Sequence, residues 1–111
     1  MTALTGAERI SVERARQLLP REDGGEGWNA AHDRGQTDAL ARAAAAYALP
    51  AHQRLFEYAS GAWKIKLDLR HHIWPWKAMW WKPTPKDRIR ELEKAGALIA
   101  AAIDSLLQEE G

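Results

Sequence analysis

The order of apolar and polar positions marks out helical segments along most of this chain. Residues 8–19, ERISVERARQLL, carry a partial apolar stripe of Ile10, Ala15, Leu18 and Leu19 before Pro20 stops them. A glycine-rich loop follows over 20–36, with a lone Trp28 suited to anchor it. A second helix is predicted over 37–49, capped by Thr37 or Asp38 and ended by Pro50. Its alanines at 43–46 let another helix approach closely. Within the variable segment 50–72, residues 51–59 read as a short helix with Leu55, Phe56 and Tyr58 turned inward. Residues 63–70, WKIKLDLR, alternate apolar and charged, which is the period of a strand. A single strand needs an edge to pair with, so either it pairs between subunits or the pattern misleads.

The pattern is longest at the end of the chain. Thr84-Pro85-Lys86-Asp87 reads as a helix start, with a capping threonine and a first-turn proline. The helix predicted over about 85–109 is roughly 36 Å long at about 1.5 Å per residue. Ile89, Leu92, Gly96, Ile99, Ile103 and Leu106 recur at alternating three and four, one continuous apolar face. Gly96 costs about 1 kcal/mol of helix propensity relative to alanine, and close contact with the alanine face of the 37–49 helix would offset it. The expected fold is therefore all-α, a small bundle of three or four helices around the C-terminal one, in a single domain of 111 residues. A long apolar face on so small a core also predicts a homo-oligomer.

Composition narrows the setting. Cysteine is absent, so disulfides and thiolate metal sites are excluded and a cytosolic location is expected. The first residues lack the basic start and apolar run of a signal peptide, and no apolar stretch is long enough to span a membrane. The net charge is only +1, but residues 61–90 carry eight Lys and Arg against two acids. A basic zone inside a near-neutral protein suits a small anionic ligand better than bulk nucleic acid.

That zone contains the stretch IWPWKAMWWKPTPKDRIR at 73–90, whose loop portion is 73–84. Trp74, Trp76, Trp80 and Trp81 lie among Lys82, Lys86 and Arg88. Indole faces stack on bases and cations pair with phosphates, so together they suit a nucleotide-like guest. The alternative is a proline-braced loop that folds its tryptophans onto the core. In the binding reading, Trp28 adds a stacking surface, Arg16 a phosphate contact, and His32 and Asp33 contact the sugar or orient the site. Lys82, Lys86, Asp87 and Arg88 stand at the helix entrance, whose free N–H groups favour an anion.

Catalytic signals are sparse. There is no P-loop, no dinucleotide glycine fingerprint, and no serine in a nucleophile elbow. The carboxylate runs of helical nucleotide pyrophosphohydrolases are missing, and Glu91 and Glu93 diverge on a helix. The adjacent His71 and His72 do not make a metal site by themselves. No cofactor or metal is expected, and the chain reads as a binding protein rather than an enzyme.

Several short motifs follow one another in order: Arg14-x-Arg16-Gln17, Glu26-Gly27-Trp28, His32-Asp33, Leu40-Ala41-x-Ala43-Ala44-Ala45-x-Tyr47, Trp74-Pro75-Trp76, Trp81-Lys82-Pro83, Asp87-Arg88 and Lys94-Ala95-Gly96-Ala97-Leu98-Ile99. Over about residues 8–107 this pattern resembles a group of small proteins encoded by tailed bacteriophages and prophages. The chain departs from it after Asp33, where Arg34 and Gln36 stand in place of further acid and a second histidine. The resemblance implies a phage protein in the host cytosol. Small phage proteins without catalytic machinery often act by binding, and by analogy of setting the aromatic and cationic stretch gives the expected role of a sponge for a nucleotide of bacterial immune signalling. A diverged pyrophosphohydrolase and a module that blocks a host enzyme are the alternatives.

Overall fold

The computed structural model describes residues 3–28, 35–60, 63–68 and 73–110, with backbone alone in the two strands and at Ala78. Among the described residues, three helices carry the fold: α1 (Gly6–Leu18), α2 (Thr37–Ala48) and α3 (Arg88–Glu110). The core is an all-α bundle built around the long C-terminal helix. A two-stranded antiparallel hairpin, β1 (Leu55–Ser60) with β2 (Trp63–Asp68), is appended to it.

α1 opens on a capping box. The Glu8 N–H donates to Thr5 Oγ1 at 3.2 Å, and the Thr5 N–H donates to Glu8 Oε1 at 2.9 Å. At the other end the glycine-rich loop turns back along the helix. Gly27 and Trp28 donate their N–H groups to the Leu19 and Gln17 carbonyls at 2.7 and 2.9 Å, which satisfies acceptors that a helix end leaves open. Gly25 is where the loop passes closest: a Cβ there would run into the backbone carbonyls of Leu19 and Arg16. Gly25→Ala is therefore expected to cost about 2 kcal/mol through overpacking against backbone, read as a shift in the urea midpoint.

α2 packs on α3 through small side chains, as its alanines predict. Ala43, Ala44 and Ala46 are buried with Leu40 and Tyr47 against Ala95, Leu98, Ala101 and Ala102. Thr37 does not cap α2. Its hydroxyl donates instead to Ser105 Oγ across the interface at 2.9 Å.

Four further expectations need correction. Residues 51–59 do not form a helix: Ala51–Gln53 is a single 3-10 turn, and Leu55–Ser60 is a strand. That strand supplies the missing partner for the 63–70 pattern, from Leu55 opposite Asp68 to Ser60 opposite Trp63. Pairing is thus within the chain, not between subunits. α3 begins at Arg88 rather than Pro85, and its cap is Asp87, whose Oδ1 accepts from the Arg90 N–H at 3.1 Å. Finally, the expected contact of Gly96 with α2 is a contact with α1, where the Ile10 side chain fills the space that a Cβ at 96 would need. The residues of α3 that pack inward are Glu91, Ala95, Ala97, Leu98, Ala101, Ala102 and Ser105. The face of large aliphatic residues lies beside them and is exposed.

Candidate functional site

Between the end of α1, the glycine-rich loop, the tryptophan segment and the middle of α3 lies a cavity of about 500 Å³. Trp28, Tyr47, Trp74, Trp76 and Trp80 line it, together with Arg16, Arg21, Lys82 and Lys94 and the carboxylates Glu13 and Glu26. A neighbouring cleft shares Arg21, Glu26, Trp28 and Trp80 with it.

The aromatic wall is assembled around Tyr47 of α2. Trp81 stacks on Tyr47 at 4.7 Å between centroids, and Trp74 meets it edge-on at 5.6 Å. Trp76 abuts Trp74 at 5.3 Å, and Trp28 meets Trp76 at 6.2 Å. Trp74 is buried and donates its indole N–H to the Lys77 carbonyl at 3.1 Å. Pro75 and the 3-10 turn Ala78–Trp80 keep the segment out of a longer helix, and Trp80, 47% exposed, is left facing solvent. The rings divide between packing and lining the cavity. Trp81 packs without lining the cavity, Trp74 is buried in the core and forms part of the cavity wall, Trp28 and Trp76 pack partly and line it, and Trp80 lines it from the exposed side.

The cations divide in the same way. Arg16 lines the cavity but is already engaged. It donates to Glu13 at 2.6 and 3.2 Å, to Glu26 at 2.9 Å and to the Gly24 carbonyl at 3.2 Å. Its guanidinium fastens the loop to α1, and these bonds hold it firmly charged. Glu13 also accepts from Arg90 at 3.0 Å. Burial alone would raise the Glu13 carboxyl, but the Arg16 and Arg90 bonds outweigh it and the value falls. Among the described residues, neither Arg21 nor Lys82 has a carboxylate partner.

Lys94 reaches in from α3. Its Nζ donates to the Lys82 carbonyl at 2.9 Å and lies 5.3 Å from the Tyr47 ring centroid. Burial lowers its pKa, and Arg90 and Arg16 add repulsion. A folded chain with a depressed lysine holds fewer protons than the unfolded chain between the two values. Stability is thus expected to rise with pH through that alkaline window, and Lys94→Met to remove the slope. Denaturant midpoints measured across alkaline pH check this.

Arg88, Lys86, Asp87 and Trp81 do not line the cavity. Arg88 closes the C-terminus of α2. It donates to the Tyr47 carbonyl at 2.9 Å, to Leu49 at 3.3 Å and closely to Ala48. Arg54 donates to the Ala46 and Tyr47 carbonyls at 3.0 and 3.1 Å. Two guanidinium groups at a helix C-terminus meet both its open carbonyls and its negative pole. Glu91, fully buried, neutralises both, at 3.0 Å from Arg54 and 3.1 Å from Arg88. Trp81 lies beneath the Arg54 guanidinium at 5.2 Å. Lys86 is exposed, and Asp87 is used as the cap. His32, Asp33, His71 and His72 lie outside the described residues.

Sequence reasoning missed Arg21, Tyr47 and Lys94 as wall residues. Tyr47 was legible in part, being the single aromatic residue in an alanine-rich helix; Arg21 and Lys94 carry no local signature. Among the described residues, no helix is long and apolar enough to cross a membrane, and no group of three His, Asp or Glu is placed to hold a metal. No family model, no curated protein and no solved structure matches the chain.

Proposed function

We infer that the chain is a small binding protein that captures a nucleotide-type ligand in this cavity. One observation carries the reading. Indoles from two distant segments, Trp28 and Trp74–Trp80, meet around a single space of ligand size with Arg21, Lys82 and Lys94 on its walls. The aromatic faces take the base, and the three cations take the phosphates. The Glu26 carboxylate, which lines the space while bound to Arg16, offers an acceptor to a sugar hydroxyl or a base amino group. The adjoining cleft, with Arg21 and Trp80 in common, leaves room for a second nucleoside unit.

Capture rather than hydrolysis suits these residues, because both cavity carboxylates are held by Arg16. On the resemblance to phage and prophage proteins, the guest is a signalling nucleotide of bacterial immunity. It would be kept out of circulation in the host cytosol. Calorimetry and tryptophan fluorescence with linear and cyclic mono- and dinucleotides test this, with the matching nucleosides as controls. Binding that requires both base and phosphate is the expected result. If no member of the panel releases heat or alters the emission, the proposal is wrong.

A further inference from the structure

The outward face of α3 takes no part in the cavity. Ile89, Leu92, Ile99, Ile103, Leu106 and Leu107 are each between 45% and 60% exposed. They form one stripe about 27 Å long. The gap at Gly96 is filled by Ile10 from α1, so the stripe is apolar without interruption. Isolated exposed leucines are ordinary, but a contiguous patch of this kind marks an interaction site.

We propose that this face pairs with the same face of a second copy, with the two α3 helices antiparallel about a twofold axis. Two properties select that occupant. The first is the spacing. Positions 89, 92, 96, 99, 103 and 106 alternate three and four in the same order from either end. An antiparallel twofold then sets Ile89 opposite the partner's Leu106 and Leu92 opposite the partner's Ile103, and in the central layer sets the partner's Ile99 against Ile10, which fills the space over Gly96. Each layer thus matches one heptad seam position with the other, as two-stranded packing needs.

The second property is charge. The helix begins near Lys86, Arg88 and Arg90 and ends at Glu109 and Glu110. Arg88 and Arg90 already have carboxylate partners inside the chain, but Lys86, Glu109 and Glu110 have none among the described residues. The register that aligns the apolar layers also brings Lys86 toward the partner's Glu109. Parallel pairing would set like charges and like helix poles side by side. One helical stripe falls short of the roughly 800 Å² per partner of a standard tight interface, so the dimer is reversible.

The absence of cysteine makes the geometry testable by cross-linking. Chains bearing Leu92→Cys and Ile103→Cys, mixed and oxidised, are expected to give mainly the mixed disulfide. Sedimentation equilibrium of the unaltered chain is expected to show a monomer–dimer equilibrium. Ile99→Glu with Ile103→Glu should abolish it while the thermal unfolding transition persists. Lys86→Glu should weaken it several-fold, and Glu109→Lys added to Lys86→Glu should restore it. A monomer at every concentration overturns the proposal, as does a dimer that survives Ile99→Glu with Ile103→Glu. A predominance of 92–92 and 103–103 links overturns the antiparallel arrangement. Because these positions lie outside the cavity, ligand titration of the monomeric variant reports on nucleotide capture separately.

Discussion

Glu91→Ala is expected to remove about 3–5 kcal/mol of folding stability, the loss typical when one member of a buried ion pair is deleted. Glu91 is fully buried and Arg54 is 7% exposed, so water cannot replace the missing carboxylate at Arg54 without opening the bundle. The Thr84 N–H, which donates to Glu91 Oε2 at 3.1 Å, loses its acceptor as well. A further effect is a lost pH dependence. Burial raises the Glu91 carboxyl, but the bonds from Arg54 and Arg88 outweigh it and the value lies below that of an ordinary carboxylate. A depressed carboxylate stabilises fully above its unfolded value, and that contribution disappears as pH falls through the folded one. Glu91→Ala should therefore flatten the acid side of the stability profile. Chemical denaturation between neutral and acid pH measures both effects, and Glu91→Gln, which keeps shape and one acceptor, should fall between.

The second large effect concerns the cavity. Trp80→Ala combined with Lys82→Ala is expected to weaken nucleotide binding about a hundredfold or more. A base–indole stack is worth roughly 1–3 kcal/mol and a charged hydrogen bond roughly 1.5–3 kcal/mol, and about 1.4 kcal/mol is tenfold. Both side chains are exposed, so stability should change by no more than about 0.5 kcal/mol per site. Lys86→Ala, outside the cavity, should leave affinity unchanged. Trp74→Ala should instead cost about 3–5 kcal/mol of stability, because its ring is buried in the core. Calorimetry and urea unfolding of the three variants separate ring from ring and lysine from lysine. Equal affinity in the double variant and the parent chain would remove the cavity as the binding site.

The contrast between Lys82 and Lys86, or Trp80 and Trp74, shows where sequence stops informing. Helix positions were legible because their signals are local: Pro20 and Pro50 end helices, and alanine at 43–46 permits close packing. The Thr5-x-x-Glu8 capping box was equally local, yet it begins α1 two residues before the apolar stripe suggests. The 55–60 strand was hidden because Leu55, Glu57 and Ala59 are ordinary helix residues, and only its partner 63–68 alternates clearly. Arg88 looked like a ligand cation because nothing local shows that it faces the carbonyls of Tyr47, Ala48 and Leu49, some forty residues away. The apolar face of α3 was legible as a face, but not which way it turns. That choice was made by alanines and Ser105 on the neighbouring strip, which allow α2 closer than leucine would.

The ring contacts around Tyr47 have an optical consequence. The contacting pairs Tyr47–Trp74, Tyr47–Trp81, Trp74–Trp76 and Trp74–Trp81 have centroids 4.7–5.6 Å apart, mostly in crossed orientations. Transition dipoles at that spacing couple, so their absorption bands split into paired lobes of opposite ellipticity that overlap the amide signal. Far-ultraviolet circular dichroism of this chain will therefore misstate its helical content, and the split bands will fade when the aromatic cluster loosens, even while the three helices remain intact.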